Sequence, residues 1–280
     1  MKCCLQIILI IVLLTIGLVS PLTGQTYCWT ENYDSSSSIV SRIQLPSGYE
    51  RIRVEPGSFA EWLRNLPLKE NNSPVYLYNG IKKNNQTAHY AVIEIDVGNK
   101  DLQQCADAII RLRAEYLFSK GTLDSISFNF TSGDTATFRN WINGFRPGVE
   151  GNNVIWIKNN IVDSSYKNFR SYLDVIFNYA GSYSLARQLK PKQDIHDIAI
   201  GDIFIQGGFP GHAVIVVDAA LNSPTGEKIF LLAQSFMPAQ DIHILRNPVD
   251  SNLSAWYESN FGDTLHTPEW DFNADDIKEF

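Results

Sequence analysis

A cysteine and a histidine offer the clearest chemistry in this chain. Cys105 lies in the stretch DLQQCADAIIRLRAEYL, where Asp101 and Gln104 predict the first turn of a helix that continues with apolar residues at helical spacing. A thiol in a first turn feels the positive end of the helix dipole, which favours the thiolate. His212 follows GGFPG and opens the apolar stretch AVIVVD, which predicts a buried strand. The two residues therefore predict a nucleophile with a histidine base.

Glutamines are predicted to assist this pair from two sides. Gln234 ends the apolar stretch KIFLLAQ, which we expect to be the next strand, and there it would orient the imidazole of His212. Gln104 directly precedes the thiol and is predicted to donate an amide hydrogen bond to a developing oxyanion, a role that Gln103 could also take.

Other interpretations of these residues stay open. Cys105 is also a candidate for a disulfide with Cys28, or for an inert buried thiol. His212 alone is typical of a hydrogen-bonded core histidine, and Gln240 and His243 compete for the orienting role. The sequence contains no HExxH, CxxC or closely spaced histidine pair. A metal site, the weaker alternative, would draw on His89, Glu94, His212, His243 or His266.

The first residues of the chain predict export. MKCCLQIILIIVLLTIGLVSPLTGQ has Lys2, an apolar run short for a span of about 20 residues, then Pro21 and small residues. This pattern is typical of a cleaved signal peptide, residues 1–24, with an uncleaved anchor as the alternative. We therefore expect a periplasmic or extracellular protein without membrane contact after cleavage. The net charge of −7 without a Lys/Arg cluster argues against a nucleic-acid partner.

The remaining chain is predicted to fold as one unit after a flexible lead-in. Residues 25–38 include the polar run TENYDSSSS, the predicted lead-in, and residues 39–280 form the predicted domain. Ser58 and Glu61 predict the start of a short helix. SISFNF predicts a strand, NGFRPGVEGNNV predicts a loop, and YKNFRSYLDVIFNYAGSYSLARQL predicts two helical pieces inserted before a β-rich C-terminal part.

The order of these features is similar to a known enzyme class. Cys105 at a helix start, GDIFI, a glycine-rich turn, His212 on a strand and Gln234 on the next strand resemble the papain-like amidases of the NlpC type. Those enzymes cleave peptide bonds in bacterial cell walls, and the resemblance implies the same order of nucleophile, base and orienting residue. They typically have Asp-Cys-Ser at the helix start, where this chain has Gln104-Cys105-Ala106.

Longer stretches resemble a second family over nearly all of the chain that follows the signal peptide. They are EWLRNLPLK, DLQQCADAIIRLRAEYL, GDIFIQGGFPGHAVIVVD, LLAQSFMPAQDIHIL and TPEW. They are similar to DUF4846, a family of exported bacterial proteins, mainly from the Bacteroidetes, defined as a domain of unknown function. This resemblance implies secretion and supplies no activity.

We therefore expect an α+β fold with a papain-like (NlpC-like) core, in which an antiparallel sheet packs on the Cys105 helix, plus a helical insertion. The predicted function is an exported thiol hydrolase or transferase that acts on an amide or peptide, cell-wall peptide included, through an acyl-enzyme on Cys105. The alternative is a non-catalytic periplasmic binding protein on the same scaffold. No cofactor is predicted, and the expected partner is a peptide or small amide.

Overall fold

The computed structural model describes residues 27–280, apart from the side chain of His196. The predicted signal peptide, residues 1–24, lies outside the described residues. Within the described part of the chain, no helix combines the length and the apolar character that crossing a membrane requires.

Helices occupy the N-terminal and middle parts of the described chain. Ser58 caps the second helix as predicted, because its side chain accepts from the N–H of Glu61. The third helix begins at Cys105, with Gln104 as its N-cap, and the side chain of Asp107 accepts from the N–H of Gln104. The fifth and sixth helices are the two predicted helical pieces. Six α-helices lie in residues 27–280: α1 Ile39–Arg42, α2 Phe59–Arg64, α3 Cys105–Ser119, α4 Phe138–Ile142, α5 Tyr166–Tyr179 and α6 Ser182–Gln188.

Strands are concentrated in the C-terminal part. The apolar stretches around His212 and before Gln234 form the two longest strands that were predicted there. The strands described are β1 Glu50–Arg51, β2 His89–Val92, β3 Ser127–Asn129, β4 Thr135–Thr137, β5 Phe145–Glu150, β6 Asn153–Lys158, β7 Lys190–Pro191, β8 Ile203–Gln206, β9 His212–Leu221, β10 Lys228–Gln234, β11 His243–Leu245, β12 Trp256–Glu258, β13 Thr264–His266, β14 Asp271–Asn273 and β15 Ile277–Glu279.

One large antiparallel sheet organises the molecule. Its order is β2-β11-β10-β9-β8-β15-β7, with β1 also paired to β9 and β12 also paired to β10. β9 and β10 lie near its centre and are buried on both faces, which explains why their sequences are almost continuously apolar. The fold is thus mixed α and β with a large antiparallel sheet, as predicted.

The two faces of this sheet pack against different layers. Ala213, Ile215 and Val217 of β9 belong to the larger core, which also contains the apolar residues of α3. Val214 and Val216 point to the other face, where a smaller core includes aromatic residues of the C-terminal strands. This alternation is the ordinary consequence of the two-residue period of a strand. It places α3 against one face of β9.

Two predictions about irregular segments are wrong. The expected flexible lead-in, residues 25–38, packs on the body wherever it is described: Tyr27 donates to the carbonyl of Trp62 at 2.8 Å, and Trp29 donates to the carbonyl of Glu94 at 2.8 Å. These two aromatic residues precede the polar run TENYDSSSS and anchor the segment to the body of the protein. The expected loop NGFRPGVEGNNV contains β5, a turn at Gly151 with a φ of 61°, and the first two residues of β6, which together begin a hairpin.

Candidate functional site

The thiol of Cys105 lies in the first turn of α3 as predicted, but at its first position, because Gln104 and not the expected Asp101 is the N-cap. Burial raises its pKa to about 11, and the nearby Asp107 adds to this effect. Backbone N–H groups at Ala106, Ala213 and Cys105 itself favour the thiolate but do not compensate for burial. The expected lowering of the thiol pKa is therefore wrong for the resting protein. Cys28 and Cys105 are both free thiols, so the alternative of a disulfide between them is not formed.

His212 and Gln234 meet as the sequence predicted. β9 and β10 are antiparallel neighbours, and Nε2 of His212 lies 2.8 Å from Oε1 of Gln234. Because an amide oxygen only accepts, Nε2 carries the hydrogen and Nδ1 is left with a lone pair. Burial lowers the pKa of His212 to about 4, so the ring is neutral at pH 7. The hydrogen bond thus selects one tautomer of a neutral imidazole.

The amide nitrogen of Gln234 is held from two further directions. It donates to Oε2 of Glu269 at 2.9 Å and lies 3.3 Å from Nε2 of His243. Nδ1 of His243 is 2.8 Å from the carbonyl oxygen of Asp241, to which it donates, so its Nε2 is free to accept. Both hydrogens of the Gln234 amide therefore have acceptors. Its oxygen is consequently directed to His212.

Glu269 in turn belongs to a buried ion pair that the sequence analysis missed. Its carboxylate bonds to the ammonium of Lys83, which is almost completely buried, and Asn85 approaches the second oxygen at 3.4 Å. Lys83 also lies 5.8 Å from the ring centre of Phe236. The two charged residues are 186 positions apart, so no local pattern connects them. The one available indication was the place of Glu269 in TPEW.

The thiol and the imidazole flank the same end of β9 without a hydrogen bond between them. Cys105 packs with Ala213 in the core under α3. The ring centre of His212 lies 5.5 Å from that of Trp270 and 5.9 Å from that of Phe272, on the other face of the sheet. The expectation that His212 and Gln234 pack against α3 is thus correct for their strands and wrong for their side chains. Alternation along a strand is the reason.

The two glutamines before the thiol lie in different environments. Gln104 donates from Nε2 to Asp101 at 3.1 Å, so this amide hydrogen bond is already made within the helix start. Gln103 is buried, accepts at Oε1 from Nη1 of Arg111 at 2.6 Å, and has no partner for Nε2. Gln103 is thus the one of the two whose amide nitrogen is buried without any hydrogen bond, while the amide of Gln104 keeps a second hydrogen.

The rival residues for the orienting role occupy other places. His243 contacts Gln234 and does not replace it, while the side-chain nitrogen of Gln240 is buried without a hydrogen bond. Within residues 27–280, no group of three His, Cys, Asp or Glu side chains is arranged to hold a metal ion.

Glycines bring the backbone before His212 into close contact with its surroundings. A Cβ on Gly211 would lie 2.7 Å from the carbonyl oxygens of Gln206 and Gly208. A Cβ on Gly207 would lie 2.8 Å from the Cβ of Ala186. The glycines allow β9 to begin directly beside α6.

A mixed α/β protein with a central nine-stranded antiparallel sheet is the class that the fold defines. Residues 39–279 match DUF4846, a domain of unknown function, and the chain belongs to this family. Comparisons with curated proteins and with solved structures gave no match.

Proposed function

We propose that this protein is an exported thiol hydrolase or transferase that acts on an amide or peptide. Cys105 is the nucleophile and His212 the base, on a papain-like, NlpC-like core. The protein works in the periplasm or outside the cell, as the N-terminal sequence indicates.

The hydrogen bond between His212 and Gln234 carries this proposal. It leaves Nδ1 of a neutral imidazole as a proton acceptor at the first residue of β9. The next residue, Ala213, directs its N–H to the thiol of Cys105. The thiol and the correctly protonated base thus flank the same end of β9 from opposite faces of the sheet. The proposed proton transfer therefore requires this end of β9 to rearrange when substrate binds, so that Nδ1 of His212 reaches the thiol.

The proposed reaction starts from a neutral thiol at Cys105 and a neutral imidazole at His212. The sulfur of Cys105 attacks the amide carbonyl carbon, and its proton passes to Nδ1 of His212. The tetrahedral oxyanion is stabilised by N–H groups of the α3 start, and the amine leaves with the proton from His212. Water then hydrolyses the thioester, or an amine takes the acyl group. Gln234 keeps the ring in the required tautomer throughout.

An acyl-transfer experiment tests the proposal without knowledge of the substrate. The protein is mixed with p-nitrophenyl acetate, and release of nitrophenolate and the intact mass are followed. We expect a burst with one acetyl group on Cys105, which Cys105→Ser abolishes and His212→Ala slows at least tenfold. Cys28→Ser is the matched control and keeps the burst. Acetylation of Cys105 at the same rate with and without His212 would contradict the proposed pair.

A non-catalytic binding protein is the second candidate, and two observations favour it. Burial raises the pKa of Cys105 to about 11, and no hydrogen bond joins its sulfur to His212. On this alternative the buried polar network shapes a binding surface, and the thiol is part of the core. The absence of any acetyl-cysteine at Cys105 would favour this function.

A further inference from the structure

A pocket beside the start of α3 has features of a separate binding site. Its volume is about 240 Å³, and it lies between the segment that precedes α3 and one side of α5. Val97, Leu102 and Phe177 form the apolar part of its lining. The volume is sufficient for a group about the size of an amino acid, below the usual range for drug-sized ligands.

Two residues that line this pocket each have a buried nitrogen donor without a partner. Gln103 lines the pocket, is only 1% exposed, and its Nε2 makes no hydrogen bond. Arg170 lines it from α5, and its Nη1 is also buried without a hydrogen bond. Unmade hydrogen bonds of buried donors destabilise the folded protein. Because both atoms can only donate, their missing partner is an acceptor.

The other polar contacts of these side chains keep the two donors in place. Oε1 of Gln103 accepts from Nη1 of Arg111 at 2.6 Å. Nη2 of Arg170 lies 3.2 Å from Oδ2 of Asp96, and Nη2 of Arg111 lies 2.9 Å from the other oxygen of the same carboxylate. The positions of Gln103 and Arg170 are therefore connected through Asp96 and Arg111. These existing contacts of Gln103 and Arg170 fix the orientation of their two unpaired donors.

The charge of the lining differs from that of the whole chain. Lys100, Lys167 and Arg170 are cationic, and Asp174 is the one carboxylate among the lining residues. Asp174 is engaged with Lys100 at 2.7 Å. The chain as a whole has a net charge of −7. An excess of positive charge at one pocket of an acidic protein favours an anionic ligand.

We propose that this pocket binds a carboxylate that carries a short apolar chain, with Gln103 Nε2 and Arg170 Nη1 as its hydrogen-bond donors. The cationic lining supplies the charge complement, and the apolar lining receives the chain. A carboxylate offers two acceptor oxygens to two donors, and hydrogen bonds to an ionised acceptor are the stronger kind. This site does not depend on any reaction at Cys105.

Titration with sodium butyrate tests the site directly. The ¹⁵N-labelled protein is followed by NMR at constant ionic strength, with butyramide and inorganic phosphate as parallel probes. We expect saturable shifts with butyrate for residues around Gln103 and Arg170, and none with butyramide. Loss of one hydrogen bond to the carboxylate in Gln103→Leu or Arg170→Gln weakens binding about tenfold or more.

Arg139→Gln is the control, because Arg139 is an exposed arginine that pairs with Asp124 outside the pocket. It keeps the affinity for butyrate. Thermal unfolding identifies any variant that fails to fold, and the two pocket variants serve as checks on each other. Equal shifts with butyrate and butyramide, or affinity for phosphate alone, would overturn the proposal. So would butyrate binding that both pocket variants leave unchanged.

Discussion

Nε2 of His212 donates to Oε1 of Gln234 across neighbouring strands, at 2.8 Å. This contact selects the tautomer of the His212 ring. The side-chain amide of Gln234 is itself held in place by Glu269 and His243. The tautomer of His212 is thus determined by acceptors on β11 and in the segment before β14, which orient the Gln234 amide. The first three predictions concern this network.

Replacing Gln234 by Leu should remove the preference for the Nε2–H tautomer of His212, because the acceptor for that hydrogen is lost. We expect ¹⁵N spectra of the imidazole to change from one tautomer to a mixture, and the acetyl-transfer burst to slow at least tenfold. Gln193→Leu, at an exposed glutamine, is the matched control and changes neither. An unchanged imidazole spectrum in Gln234→Leu would show that another group selects the tautomer.

Replacing Glu269 by Gln should destabilise the fold by about 3 kcal/mol or more, because it leaves the ammonium of Lys83 buried without its carboxylate. Burial already lowers the pKa of Lys83, and its bond to Glu269 opposes this effect. Urea unfolding at pH 7 measures the change. The double variant Lys83→Met/Glu269→Gln removes both charges and should recover most of the loss. If Glu269→Gln unfolds at the wild-type urea concentration, the pair contributes little.

The stability of the protein should fall as the pH decreases from about 6.5 towards 4. Burial lowers the pKa of His212 to about 4 and that of His243 to about 3. In this range the unfolded chain binds protons at both residues while the folded protein does not, so acid favours unfolding. His243→Asn should reduce the slope of unfolding free energy against pH. Parallel slopes in the variant and the wild type would argue against this contribution.

The sequence predicts those parts of the site that depend on short, local residue patterns. The helix start at Cys105, the strand from His212 and the strand ending at Gln234 each follow from a short apolar pattern and its flanking residues. The pairing of the two strands also follows, because the turn NSPTG separates them by few residues. These local patterns place both residues of the His212–Gln234 contact.

The features of the site that the sequence does not predict depend on contacts between distant segments. Lys83 and Glu269 meet across most of the chain, and their ion pair has no local signature. The face on which the His212 ring lies is set by the register of β9 against α3 and the C-terminal strands. The burial that raises the thiol pKa likewise arises from tertiary packing, and it outweighs the helix-start effect on which the sequence argument relied.

Alkylation of Cys105 by iodoacetamide should be slow at neutral pH in the resting protein. Burial raises the pKa of Cys105 to about 11, so little thiolate is present at pH 7, and the residue is only 8% exposed. The pKa of Cys28 is also raised to about 11 by burial, but this residue is half-buried and should be alkylated first. Mass spectrometry of timed digests measures both alkylation rates between pH 7 and 10. The urea-unfolded protein is the control, because both thiols react quickly in it. Cys105 should react faster as the pH rises. Rapid alkylation of Cys105 at pH 7 in the folded protein, slowed by His212→Ala, would instead indicate that a thiolate and imidazolium pair exists before substrate binds.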